Sequence, residues 1–229
     1  MWPSGCVGWS GASAHRVGLI VVPVRDVPWW GVLSSAAALV LLVGGWTVAA
    51  MLQPGSFDQV RQTISALAGY GAADRQVMSL ALLGVGGCHV ITGLALRPAA
   101  WPGRILLMTG GVATVLVAAF PVPAGAGRSV PHTVAAAVAF TALAAWPAVG
   151  GRRGPGVAWG LRTGVSAGAS TALFGLLGWF YVELAAGGLQ LGLAERVAAG
   201  AQALWPLAVV MTCYWRQSLA RRPSASPAM

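Results

Sequence analysis

WGVLSSAAALVLLVGGWTVAAML, Trp30 to Leu52, holds no charged side chain over its whole length. The hydrocarbon core of a bilayer needs about 20 apolar residues per helix, so this run is long enough to cross it. Five more stretches read the same way: Arg75 to Leu96, Arg104 to Pro121, Pro131 to Val149, Leu161 to Glu183 and Glu195 to Tyr214. The fold they predict is all-α, a polytopic bundle of six transmembrane helices.

With 229 residues, 57% of them hydrophobic and 8% charged, the chain has too little polar surface for a soluble domain. Six spans and short loops make one membrane domain over 29–216. Residues 1–28 read as a disordered or mis-started extension, since Pro23 interrupts the short apolar run Val17 to Val24 and no small-residue cleavage site follows. Residues 217–229 read as a disordered tail. The net charge is +9, but all 14 basic residues are arginines scattered at span ends, which excludes a nucleic-acid partner.

Those arginines set an orientation. Ten lie in the N-terminal segment (Arg16, Arg25), the second loop (Arg97, Arg104), the fourth (Arg152, Arg153, Arg162) and the tail (Arg216, Arg221, Arg222). Four lie in the first, third and fifth loops (Arg61, Arg75, Arg128, Arg196). The positive-inside rule then predicts cytoplasmic termini. Asp58, Asp74, Glu183 and Glu195 all fall on the opposite, outer side and only Asp26 inside; acids contribute little to topology, so a polar outer-face site is one reason for the bias. Cys6, Cys88 and Cys213 avoid the outer loops, and no disulfide is expected.

The first outer loop has structure of its own. Ser56 and Gln59 form a capping box and Gly69 a stop, predicting a short amphipathic helix over Phe57 to Ala68 with Asp58, Arg61, Gln62 and Ser65 on one face and Phe57, Val60, Ile64 and Leu67 on another. Asp74 should cap span two. The third loop, Pro121 to Pro131, is flexible at Gly125 and Gly127. Glycines in spans two, three and five (Gly84, Gly86, Gly87; Gly110, Gly111; Gly164, Gly168, Gly175, Gly178) read as close-packing surfaces.

Phe57 to Leu67 (FDQVRQTISAL), Phe120-Pro121 ending span three, Pro131-His132-Thr133 opening span four and Glu195-Arg196 opening span six carry a resemblance. Over residues 30 to 215 the chain resembles the bacterial domain of unknown function 998 family. That resemblance implies a six-helix protein of the bacterial inner membrane with no established activity. Relatives often carry an acid just after Phe-Pro, whereas Val122 to Gly127 contains none.

Ionisable groups at membrane level tend to mark function, and Asp58, Arg61, Ser65, Asp74, His132, Glu183 and Glu195, with Arg196, fall at one predicted depth. The ordinary reading is capping by Asp74, Glu195 and Arg196 and an i,i+3 pair between Asp58 and Arg61. Glu183 resists it. At the C-terminal end of span five the helix dipole opposes its charge, and Trp179, Phe180 and Tyr181 desolvate it. His132 or Arg196 is its candidate partner, with headgroup snorkelling the alternative. His132, at a helix N-terminus, suits a neutral imidazole that works as a base.

Zinc needs three or four converging ligands, and the outer face has one histidine. Haem held by two histidines would need them at one depth, which His89 and His132 are not. His89 reads as an interhelical hydrogen-bonding residue. A triad of Ser65, His132 and an acid lacks any nucleophile motif. No cofactor or metal is therefore expected. The leading functional reading is a membrane protein binding a lipid or a partner at the outer-face pocket, through Asp58, Arg61, Ser65, Asp74, Glu195 and Arg196. The second is an enzyme doing acid-base chemistry on a lipophilic, lipid or isoprenoid-like substrate with Glu183 and His132. Small-solute transport ranks third, because the mid-membrane polar residues are mainly His89, Thr92, Thr109, Thr114, Ser170 and Thr171.

Overall fold

The computed structural model describes residues 26–55, 57–124 and 129–221. Its helices are α1 (Trp29–Met51), α2 (Ile64–Leu67), α3 (Gln76–Ala95), α4 (Trp101–Ala119), α5 (Val130–Gly150), α6 (Thr163–Ala186) and α7 (Leu191–Ala220), with one 3-10 turn at Trp159–Leu161. All but α2 are long and apolar enough to cross a membrane, six in number, and the described residues contain no strand. Their exposed faces carry Val40, Leu80, Val112 and Val182. Apolar side chains on the outside suit lipid, where each backbone polar group must be satisfied within its own helix.

The six spans close into a ring. α1 packs on α3, α3 on α4, α4 on α5, α5 on α6, α6 on α7, and α7 returns to α1. Two of the tightest crossings are set by glycine pairs. A Cβ on Gly86 would lie 2.5 Å from the Gly111 carbonyl oxygen, and one on Gly103 would lie 2.3 Å from the Gly150 Cα. In lipid, backbone approach over small residues is a main source of helix association. The expectation fails on α6: a Cβ at Gly164, Gly168, Gly175 or Gly178 would meet nothing within 4 Å. These glycines pack against no other described residue.

The first loop also differs. Only Ile64–Leu67 is helical, where Phe57 to Ala68 was expected. Asp58 makes one isolated turn, its Oδ1 accepting from the Val60 N–H at 2.9 Å and the Arg61 N–H at 3.3 Å. The helix stops there because α7 takes the carbonyls it would need. Arg196 bonds the Gln59 and Gln62 oxygens, and the Leu193 N–H donates to the Val60 oxygen at 2.9 Å. Thr63 is extended (φ −74°, ψ 159°), and its side chain caps α2 by accepting from the Ala66 N–H. Ser56 itself lies outside the described residues, as do Gly125 and Gly127.

Asp74 does not cap α3 with its side chain. It is exposed, sits at φ +46°, and offers its backbone carbonyl to the Val77 N–H at 2.9 Å. Gln53 closes this end of the loop by exchanging two hydrogen bonds with the Ala73 backbone, at 2.9 and 3.1 Å. On the opposite face Gln217 does the same for Val27, at 2.8 and 2.7 Å, and Asp26 pairs with Arg221. Packing among the described residues thus runs from Asp26 through Arg221. These contacts define two ends of the bundle, the α2 face and the Asp26–Arg221 face.

Candidate functional site beneath the first loop

Glu195 and Arg196 occupy the second turn of α7, buried at 3% and 8% exposure. A short stretch of loop leaves backbone donors and acceptors without helical partners, and these two side chains supply them. The Glu195 carboxylate accepts from the Ile64 N–H and, through Oε1, from the Ser65 hydroxyl at 3.1 Å. Nη1 of Arg196 donates to the carbonyl oxygens of Gln59 and Gln62, both at 2.7 Å, and of Gly192 at 3.0 Å. Its guanidinium also lies 5.8 Å from the Phe57 ring centre, a cation–π contact. Gly192 lets the loop lie directly on α7, since a Cβ there would sit 2.2 Å from the Gln62 oxygen.

A second clamp holds the exit from α4. His132 is buried, its Nδ1 3.0 Å from the Phe120 carbonyl oxygen, and its backbone N–H donates to Ser129 Oγ at 3.3 Å. The Tyr70 N–H then donates to the Val122 oxygen at 3.0 Å, joining the first loop to the third. Together the two clamps form a cap over the α2 face.

The other expected site residues lie elsewhere. Asp58 and Arg61 pair with one another at 3.5 Å in the exposed turn, the ordinary i,i+3 arrangement. The Asp74 side chain makes no hydrogen bond among the described residues. Glu183 is not brought to His132 or Arg196: its Oε2 accepts from the Gln190 N–H at 3.0 Å, bridging the turn between α6 and α7. A Cβ on Gly188 would lie 2.1 Å from that oxygen, so the turn folds closely around the carboxylate. Having a backbone N–H to bind is what lets an acid stand at the end of α6 against the dipole.

Beneath the cap, inside the ring, lies a cavity of about 70 Å³. Ile64, Ser65 and Glu195 form its roof; Leu42, Leu82, Val85, Val117, Ala139, Leu143 and Ala199 line its walls; His89, Thr114 and Gln202 supply the remaining polar groups. His89 and Gln202 are each only 1% exposed. Gln202 donates from Nε2 to the Phe140 oxygen at 2.9 Å, while its Oε1 and His89 Nδ1 find no partner among the described residues. The expected interhelical hydrogen bond of His89 is therefore not made at Nδ1. Gly111 admits the side chain, its own Cβ position being 3.0 Å from His89 Cβ.

Sequence reasoning passed over Gln202 entirely. The available signal was its spacing: it follows Glu195 by seven residues on α7, two turns on and on the same face. The rise of an α-helix separates the two by about 10 Å. Chemically, the site is an apolar chamber with hydrogen-bonding groups at both ends, suited to binding. Among the described residues no three of His, Cys, Asp and Glu group closely enough to hold a metal ion.

A family model described as protein of unknown function (DUF998) matches residues 35–212. The match covers most of the chain, and the chain belongs to that family. No curated protein and no solved structure matches it.

Proposed function

We propose that this member of the DUF998 family is a membrane-embedded binding protein, which takes the apolar part of a small lipophilic molecule, or the end of a lipid chain, into the central cavity. One observation carries the reading: the cavity inside the ring has apolar walls and is also lined by Gln202 and His89, whose buried Oε1 and Nδ1 have no hydrogen-bond partner among the described residues. Buried polar groups are ordinarily hydrogen-bonded, and each exception calls for an explanation. A bound molecule provides one. The cap held by Glu195, Arg196 and His132 is then the cavity's lid, and the arginine bias supports a lid on the outer side of a bacterial inner membrane, with both termini cytoplasmic.

Acid-base chemistry by Glu183 and His132 would need the two side chains together. Each is engaged with a different piece of backbone, so the binding reading has the better support.

Filling the chamber tests it. Ala139 is buried on its wall, and Ala139→Phe should occupy the space a ligand would use. Native mass spectrometry of the full-length protein, released from membranes in mild detergent, should show a bound lipophilic mass in the parent and lose it in a variant that remains monodisperse. A parent carrying no such mass, together with a variant that is simply more stable, would overturn the reading.

A further inference from the structure

At the Asp26–Arg221 end of the bundle, far from the cavity, Arg152 stitches two loops together. Its Nε and Nη2 donate to the carbonyl oxygens of Pro98 and Ala99 at 3.1 and 3.3 Å, and its backbone N–H donates to the Leu161 oxygen at 2.6 Å. The Ala100 N–H, donating to the Gly150 oxygen at 3.0 Å, makes a second stitch. Three more arginines are gathered by this arrangement. Arg97 adjoins Pro98, Arg153 adjoins Arg152, and Arg162 is the β-bridge partner of Arg152, with backbones about 5 Å apart. Arg97, Arg153 and Arg162 are exposed, and their side chains make no hydrogen bond or ion pair to a described residue. Arg216 adds a further charge beside them, its Nη1 donating to the Val157 oxygen at 2.8 Å.

These two loops hold nothing to offset that charge. Residues 96–104 and 150–163 contain no acid, and Asp26, the acid at this end, pairs with Arg221. Arg162 is also the N-cap of α6, where the positive end of the helix dipole opposes a cation. An anion relieves both, and guanidinium groups match phosphate oxygens with paired hydrogen bonds. Trp101 and Trp159, exposed in the same two loops, say which kind of anion: tryptophan settles at the headgroup level of a bilayer, and a soluble ion would gain nothing from it. We infer that the loops 96–101 and 150–162 form a docking surface for an anionic phospholipid, its phosphate among Arg97, Arg153 and Arg162 and its glycerol flanked by the two tryptophans. Basic recesses between transmembrane helices take lipid headgroups in this way. The general bias of arginines to one side accounts for their sign; it does not account for a side chain, Arg152, committed to holding two arginine-bearing loops against each other.

The full-length protein in mild detergent, titrated with phosphatidylglycerol or with phosphatidylcholine of the same chains and followed by native mass spectrometry, provides the test. Phosphatidylglycerol should bind first, by about tenfold or more. The triple variant Arg97→Gln, Arg153→Gln, Arg162→Gln should lose that preference, while Arg61→Gln, an exposed arginine at the opposite end, should keep it. Because removing arginines also disturbs insertion, a second measurement uses the parent alone. Phosphatidylglycerol with a diazirine in its headgroup should label the peptides holding Arg97 to Trp101 and Arg152 to Trp159. Equal uptake of the two lipids, labelling confined to other segments, a preference unchanged in the triple variant or one lost in Arg61→Gln would overturn the inference. So would displacement of the lipid by inorganic phosphate beyond what chloride achieves at equal ionic strength, which would assign the surface to a soluble anion. Ala139→Phe, which fills the central cavity, should leave the preference intact. Its loss there would move the lipid into the cavity, ending this inference and leaving the binding reading standing.

Discussion

Glu195 and Arg196 are adjacent and opposite in charge, yet they do not form an ion pair within 4 Å; each instead holds part of the loop between Gln59 and Ser65, the acid by its donors and the arginine by its carbonyls. Removing a buried charged group from such an arrangement leaves its partners unpaired, which costs more than the bond contributes. The loop is therefore conditional on α7.

This relationship separates acceptor geometry from charge at position 195. Glu195→Gln keeps an oxygen for the Ile64 N–H, and the Ser65 hydroxyl can turn to accept from the new amide. Glu195→Leu leaves the Ile64 N–H buried without a partner, at a cost of about 1–3 kcal/mol. The expected outcome is rapid tryptic cleavage after Arg61 in Glu195→Leu and near-parental resistance in Glu195→Gln, followed by gel or mass spectrometry on folded protein. Equal cleavage of both would show that the charge, not the acceptor, keeps the loop down.

Glycines that sequence alone cannot rank should give opposite responses. At Gly192 a methyl would sit 2.2 Å from the Gln62 oxygen, and at Gly86 one would sit 2.5 Å from the Gly111 oxygen; at Gly168 nothing lies within 4 Å. Overpacking against backbone costs about 1–3 kcal/mol, whereas Ala in place of Gly in an open helix position gains roughly 0.5–1 kcal/mol. Thermal unfolding in detergent should thus fall for Gly192→Ala and Gly86→Ala and hold or rise for Gly168→Ala. A clear loss of stability in Gly168→Ala would mean that α6 is covered by something other than the described residues.

The spans were readable because lipid imposes length and composition on them, and five of the helices end within three residues of the expected bounds at both ends; α7 is longer, reaching from Leu191 to Ala220. What could not be read was which partner a polar residue finds. Phe57 to Ala68 has a sound amphipathic pattern, but its carbonyls go to Arg196 and the Leu193 N–H, on a helix more than a hundred residues away. Glu183 looked unpaired because a backbone N–H seven residues on, at Gln190, leaves no mark in side-chain chemistry. Gln202 looked unremarkable among apolar neighbours for the converse reason: its Oε1 has no partner among the described residues.

The orientation rests on an arginine count, and the structure gives several of those arginines a second occupation. Arg104 donates to the Gly93 and Leu94 oxygens at 2.9 and 3.0 Å, Arg152 to the Pro98 oxygen at 3.1 Å, and Arg216 to the Val157 oxygen at 2.8 Å, where carbonyls at helix ends and in loops need donors. Carbonyl binding gathers arginines on that face in addition to topology, and accessibility labelling separates the two. Ala124 and Arg153 are both exposed, one near the α2 face and the other in the loop between α5 and α6. With Cys6, Cys88 and Cys213 replaced by serine or alanine, Ala124→Cys should react with a membrane-impermeant maleimide on intact cells. Arg153→Cys should react only after the membrane is permeabilised. The opposite pattern would turn the cap towards the cytoplasm, and the cavity would then be loaded from inside the cell.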